Sequence, residues 1–211
     1  MRIKYIFIDL EGTLVKGSLM EHVLKMLDEK RFRIYNDIEK KLHMTRDRNY
    51  IIDQLRLFEG LKVDDIDKAV KQAPFRKGIA EGIKLFKEKG LKVVLLTDVI
   101  DVICESIKRM FGFDDYIGSP TLVENGVIRK VLKFNINKER GLEEYMKNNG
   151  ISYDEIIHIG DWINDIPIFD KIKYGIAFMP SVPDVIHHAT ITLNIDDFEV
   201  LAKIIVNALL D

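Results

Sequence analysis

The chain has 211 residues, 47% of them hydrophobic and 31% charged, a composition that fits an ordinary folded domain and argues against a disordered or membrane-embedded chain. With 32 basic against 34 acidic residues the formal net charge is -2, so no global field recruits nucleic acid or an anionic membrane. A single cysteine, Cys104, rules out an intrachain disulfide and suits a reducing cytoplasm.

The first predicted element is a strand over Ile3 to Ile8, an apolar run that stops abruptly in Asp9, Leu10, Glu11, Gly12, Thr13. The run is shorter than a signal-peptide core and leads straight into acids, so a cytoplasmic protein is expected. From residue 18 to 73 the pattern is helical: "LMEHVLKML", "NYIIDQLRLF" and "VDDIDKAVKQA" place apolar residues three and four apart. After Lys77 helix and strand alternate. Helix "IAEGIKLFKEKG" leads to strand "KVVLLT", and helix "DVICESIKRMF" closes at Gly112.

"TLVENGVIRKVLKF" carries Asn125-Gly126 between β-rich flanks and predicts a hairpin. Helix "KERGLEEYMKNNG", strand "EIIHIGD", helix "NDIPIFDKI" and strand "YGIAFM" follow; a short helix near Val182 to His188, strand "ATITL" and a helix from Asp196 to Leu209 end the series. Alternation of this kind implies an α/β fold, a doubly wound and mainly parallel Rossmann-like sheet. Residues 1–16 and 76–211 would form its core, and 17–75 a helical cap inserted after the first strand. Parallel sheets bind ligands outside the carboxyl ends of their strands, and the insertion leaves from that edge.

Several chemistry-bearing residues fall at that same edge. Asp9 and Glu11 follow the first strand, Thr97 ends "KVVLLT", Lys138 opens a helix, and Asp161 with Asn164 and Asp165 follows "EIIHIGD". Clustered carboxylates repel one another unless a cation holds them, and hard oxygen ligands suit Mg²⁺. A hydroxyl and a lysine beside them suit a phosphate. Asp9 is then the candidate nucleophile, since a carboxylate can accept a phosphoryl group covalently.

"DLEGTLV", Thr97, Lys138 and "GDWINDIPIF" resemble, in order, the four motifs of the haloacid dehalogenase superfamily, and the layout is most similar to its phosphoserine-phosphatase-like branch. The resemblance implies a Mg²⁺-dependent phosphatase acting on a small phosphomonoester through a phospho-aspartyl intermediate on Asp9. It implies Glu11 as general acid/base with its backbone carbonyl on the metal, Thr97 and Asn164 at the phosphate, and Lys138 neutralising charge. Asp161 is implied as a metal ligand, with Asp165 behind it.

The departures from that pattern keep two other readings open. Glu11 stands where the family's phosphatases carry Asp, and one extra methylene moves the carboxyl roughly 1.5 Å outward; transfer to an alcohol, as in phosphoserine:homoserine phosphotransferases, is the second reading. Asp98 stands where glycine is usual and is expected to turn away or to cap a helix starting at Val99. A non-catalytic binding or regulatory protein on the same fold is the third reading. Ser18 and Gln54 fall near the positions where phosphoserine phosphatases carry a substrate-reading Glu and Arg, so phosphoserine itself is unsupported. The expected partner is a small phosphorylated metabolite, with no nucleic acid and no membrane; the sequence leaves the oligomeric state open.

Overall fold

The computed structural model describes residues 3–45 and 47–210. Strand β1 (Tyr5–Ile8) is followed by four helices, α1 (Leu19–Leu27), α2 (Glu29–Thr45), α3 (Tyr50–Arg56) and α4 (Val63–Val70). Then come α5 (Ile79–Glu88), β2 (Lys92–Ile100), α6 (Asp101–Phe111), β3 (Asp115–Ser119) and the hairpin β4 (Thr121–Glu124) with β5 (Val127–Val131). The chain continues through α7 (Lys138–Asn149), β6 (Ile156–Gly160), α8 (Ile166–Phe169), β7 (Tyr174–Phe178), β8 (Ile191–Leu193) and α9 (Phe198–Ile205).

Six strands form one parallel sheet in the order β3-β2-β1-β6-β7-β8. The central strands are apolar at nearly every position because both faces are covered. Ile6 and Ile8 enter one core with Val93, Leu95, Ile157 and Ile159, while Phe7 enters the other with Val94, Leu96 and Ile156. Helices α5, α6 and α9 cover the first face, and α7 and α8 the second. Each of these aliphatic side chains contributes about 1.5–3 kcal/mol when fully buried.

The helices over residues 19–70 share the first of these cores. Val23 and Leu24 of α1, Ile51 and Leu55 of α3 and Ile66 of α4 belong to the same buried cluster as Ile6 and Ile8. Helix α2 differs: over 17 residues it buries Tyr35 alone. Its charged surface leaves a narrow apolar stripe, with Tyr35 buried and Phe32 and Leu42 partly buried against the same core.

Three sequence expectations change. Strand β2 does not stop at Thr97 but runs to Ile100; α6 spans Asp101–Phe111, the bounds of the expected helix "DVICESIKRMF", so no helix starts at Val99 for Asp98 to cap. Its register against β3 slips between Leu96 and Ile100, so the chain bulges around Thr97 and Asp98. Edge strand β3 went unpredicted, since "DYIGS" buries Ser119 and little else. The last helix begins at Phe198, with the Asp197 carboxylate accepting from the N–H groups of Glu199 and Val200, and it loosens into a wide π turn over Val206–Leu210. The Asn125-Gly126 turn forms as expected, joining β4 to β5 in an antiparallel pair. Among the described residues no helix is long and apolar enough to cross a membrane.

Candidate active site

Strand register assembles the site. Ile8 pairs with Leu95 on one side and Ile159 on the other, so Asp9, Leu96 and Gly160 lie level and Thr97 and Asp161 sit one residue further out. The N–H of Asp9 donates to the Ile159 carbonyl at 2.9 Å, holding Asp9 in line as the strand ends. Asp9, Thr97, Lys138, Asp161 and Asp165 are all buried.

Three carboxylates form the centre: Asp9, Asp161 and Asp165 each place one oxygen within 4.8 Å of the others. Lys138, in the first turn of α7, donates to Asp9 and, at 3.0 Å, to Asp165. Lys133, the other lysine near this point in the sequence, lies exposed and pairs with Glu144. Thr13 donates from its hydroxyl to Asp9 at 3.2 Å and lies 3.4 Å from Asp161. Ser181, after β7, donates to Asp161 as well.

Asp165 has no oxygen left over. Its Oδ2 accepts from the N–H groups of Asp161 and Trp162 at 3.1 Å each, and its Oδ1 accepts from Lys138 and lies 2.9 Å from His158 Nε2. His158 is fully buried and also lies 3.1 Å from the Phe7 carbonyl, a packed core residue tied to the site through Asp165.

Two glycines make room for these acids. Gly12 has a left-handed φ of +79°, and a Cβ there would lie 2.2 Å from the Asp161 carboxylate; a Cβ on Gly160 would lie 2.3 Å from Asp165. The turn glycine in "LEGT" is therefore required twice, for its backbone angle and for its missing side chain.

Burial dominates the electrostatics. It pushes Asp9 up to about 8 against the pull of Lys138, and Asp161 up to about 6 with help from Asp165. Burial also acts to raise Asp165, but Lys138 and His158 outweigh it and hold that carboxyl well below the usual range. For Lys138 burial acts downward, and the charges of Asp165, Asp9 and Asp98 more than reverse it.

Glu11 lines the same cavity as Asp9 and is bonded on its helical side. Its Oε1 accepts from the Ser18 hydroxyl at 2.7 Å and the Met20 N–H at 3.0 Å, which ties it to the start of α1. Ser18 also lies 2.8 Å from the Tyr35 hydroxyl, so one chain of bonds runs from Glu11 to α2. Burial pushes Glu11 up to about 7, with the bonds from Met20 and Ser18 opposing.

Asp98 neither turns away nor caps a helix. The β2 bulge keeps it in the strand, where its Oδ2 accepts from Arg48 at 2.6 Å and from Asn164 Nδ2 at 3.1 Å. Arg48, between α2 and α3, also donates to the Ile136 carbonyl at 2.6 Å. Thr97 Oγ1 lies 3.4 Å from the Val99 N–H, and the Thr97 carbonyl accepts from Asn135 at 2.9 Å.

Every site residue expected from the sequence except Asp165 borders one cavity of about 340 Å³ between the strand ends and helices α1–α3, as do Arg48, Asp98 and Ser181, whereas Thr13 and His158 do not. Ser18 and Gln54 line it; the glutamate and arginine nearest to them in sequence, Glu21 and Arg56, do not, and Arg56 lies over the Phe134 ring. Trp162 lines it too, stacked on His43 of α2 with ring centroids 5.1 Å apart. Sequence reasoning missed Thr13, Ser181 and Arg48. Thr13 could have been found, as the hydroxyl beside the turn glycine; the other two carry no local signal.

The sequence pattern of the haloacid dehalogenase-like hydrolase family matches residues 16–205. The chain is similar to the phosphoserine phosphatase of Methanocaldococcus jannaschii, 26% identical over 182 residues that cover 83% of this chain and 85% of that protein. Similarity to the Archaeoglobus fulgidus phosphoserine phosphatase is 24% over 188 residues, 83% of this chain but only 52% of that longer protein. A phosphoglycolate phosphatase of Methanopyrus kandleri is 25% identical over 121 residues, 57% of this chain and 52% of that one. Among solved structures, a phospho-aspartyl intermediate analogue of phosphoserine phosphatase superposes with a TM-score of 0.77 at 23% identity, covering 97% of this chain and 99% of that one. A family hydrolase from Salmonella enterica serovar Typhi superposes with a TM-score of 0.84 at 18% identity, covering 99% of this chain and 73% of that one.

Proposed function

The chain belongs to the haloacid dehalogenase-like hydrolase family, and from that premise we propose that it is a Mg²⁺-dependent phosphatase that hydrolyses a small phosphomonoester through a phospho-aspartyl intermediate on Asp9. One observation carries the reading: Asp9 ends the central strand at the cavity floor, with Lys138 on one carboxylate oxygen and the Thr13 hydroxyl on the other. A buried carboxylate held at both oxygens is oriented for in-line attack.

The donor set fits a hard divalent cation. Three buried carboxylates face one lysine, and a doubly charged ion would balance what Lys138 leaves over. Asp9 and Asp161 would hold the ion with the Glu11 backbone carbonyl, while Asp165, its oxygens filled by N–H donors and Lys138, orients Asp161 and Lys138 from behind. When bound, the ion supplies Lewis-acid neutralisation of charge on the phosphoryl oxygens.

The steps belong to the chain's own residues. An Asp9 oxygen bonds to phosphorus as the bond to the leaving alkoxide breaks, and Glu11 gives that oxygen its proton. Water then attacks the phosphorus, Glu11 takes back a proton, and the acyl phosphate bond breaks to restore the Asp9 carboxylate. Lys138, Thr97 and Asn164 receive the phosphoryl oxygens, and the helices over residues 19–70 act as a cap that excludes other water. The cap divides at residues 17–75 from a core of 1–16 and 76–211.

The test is phosphate release from a generic aryl phosphate with Mg²⁺ or with chelator, for the native chain and for Asp9→Asn. Metal-dependent turnover that the variant loses supports the reading; full turnover in the variant overturns it.

A further inference from the structure

The cavity has two ends, and only one can accept an anion. Lys138 and Arg48 are the lysine and arginine side chains lining it, and both are engaged: Lys138 by Asp9 and Asp165, Arg48 by Asp98 and the Ile136 carbonyl. Away from the three-carboxylate centre, the polar lining under α1–α3 is Glu11, Ser18, Tyr35, Glu39, His43 and Gln54, among apolar neighbours such as Met20 and Ile51. Glu39 accepts from Gln54, a neutral group, and lies 3.0 Å from His43. That end offers oxygen atoms and no lysine or arginine of its own.

Two unused polar atoms point the same way. Asp98 is nine-tenths buried and its Oδ1 has no partner; Asn164 turns its Nδ2 to Asp98, which leaves its Oδ1 without a partner too. The Trp162 Nε1–H, which borders the same cavity, is unpaired as well, so the buried groups left over are two acceptors and one neutral donor, and a ligand that satisfies the acceptors brings donors of its own. A second anion on the substrate would meet these oxygens, and could bind Arg48 fully only by stripping Asp98, a buried carboxylate, of its cation.

We propose that the phosphomonoester cleaved here is that of a small alcohol whose remainder carries hydrogen-bond donors, an ammonium foremost, and no carboxylate. The inference rests on the phosphatase reading and deepens it. It separates this chain from relatives named for phosphoserine and phosphoglycolate, compounds that both carry a carboxylate. Glu39 is the specificity residue: of the two carboxylates under α1–α3, Glu11 is bonded to Ser18 and Met20 and serves the proton transfers, while Glu39 has no lysine or arginine partner and its charge reaches Glu11 and Tyr35.

The experiment compares O-phosphoethanolamine with O-phosphoserine, which differ by one carboxylate, and adds glycerol 3-phosphate, with neutral donors, and 2-phosphoglycolate, with an anion and no ammonium. It reads kcat/KM for the native protein with Mg²⁺, and calorimetric binding to Asp9→Asn, which does not depend on turnover. The expected order places phosphoethanolamine at least about tenfold above phosphoserine, a 1.4 kcal/mol preference, with phosphoglycolate last. Glu39→Gln should narrow that gap several-fold by lowering kcat/KM for phosphoethanolamine more than for phosphoserine, whereas a merely structural loss would lower both alike. Phosphoserine or phosphoglycolate equal to or better than phosphoethanolamine in either assay overturns the proposal, and so does failure of all four to bind. Hydrolysis of the aryl phosphate reads the phosphatase assignment alone: its absence alongside the expected binding order would remove the activity and keep the selectivity.

Discussion

The strand-end side of the cavity and the helical side are built to different standards. At the strand ends Asp165 has both oxygens doubly engaged, Asp9 and Asp161 are each held at both oxygens, and the lysine is buried among them. On the helical side Arg48 is about a quarter exposed and α2 has Tyr35 as its one buried side chain, and where that side meets the strand ends Asp98 of β2 and Asn164 after β6 keep unpaired oxygens. The first side is organised before any ligand arrives, as the stabilisation of a fixed transferring group requires. The second leaves groups for a substrate to satisfy. A catalyst that always moves the same phosphoryl group, yet must choose among alcohols, needs that division.

The sharpest test of the contrast is the nucleophile. Asp9→Asn keeps the shape of the side chain and removes its nucleophilic charge, so turnover should fall about a thousandfold or more while the melting temperature stays near that of the native chain. Phosphate release and a thermal melt read the two quantities separately.

Next in size is the stability difference between the two sides. Lys138→Met leaves three buried acids without their cation and should cost about 3–5 kcal/mol in urea unfolding, as breaking a buried pair does. Arg48→Met acts on a partly solvated pair and should cost about 1 kcal/mol or less. Equal costs would break the comparison.

The glycines test how closely the strand-end side is packed. Gly160→Ala places a methyl 2.3 Å from a carboxyl that four donors hold in place. The expected cost is about 1–3 kcal/mol, with a loss of kcat larger than any change in KM because Asp165 orients groups rather than binding substrate.

Two pH dependences are smaller. Glu11 must be protonated to give the leaving oxygen its proton; held up to about 7, it is protonated below that pH, so kcat/KM should fall as pH rises through it. In Glu11→Gln that limb should disappear along with most of the activity. Far from the cavity, the hydrogen bond from Lys4 first, and then that from the Ser152 N–H, draw Glu155 from its ordinary 4.5 down to about 2. A depressed carboxyl stabilises the fold above its ordinary value and loses that contribution as pH falls through the folded one, so Lys4→Met should flatten the decline in stability between about 4.5 and about 2.

The strand-end side was legible in the sequence for a physical reason: each of its residues is fixed by a local pattern. Asp9 follows a doubly buried strand, Lys138 opens a helix, and Asp161 and Asp165 bracket a turn, so a parallel sheet brings them together without knowledge of any distant contact. The helical side was not legible. Arg48 meets Asp98 across 50 residues and Gln54 meets Glu39 between two helices, pairings that nothing in their neighbours' sequence marks. Asp98 was misjudged because periodicity ended the strand at Thr97, whereas pairing of Ile100 with Ser119 of an unpredicted edge strand carried it three residues further.

The sequence by itself determined the parallel α/β layout, the helical character of residues 18–73 and the identity of the acids at the sheet edge, because hydrophobic period and turn chemistry are local properties. Only the tertiary structure decided where Glu11 anchors, which cation Asp98 takes and which oxygens remain free in the cavity. Those depend on how helices settle against one another, and side chains that touch across an interface are chosen by geometry in three dimensions, where distance along the chain carries no information.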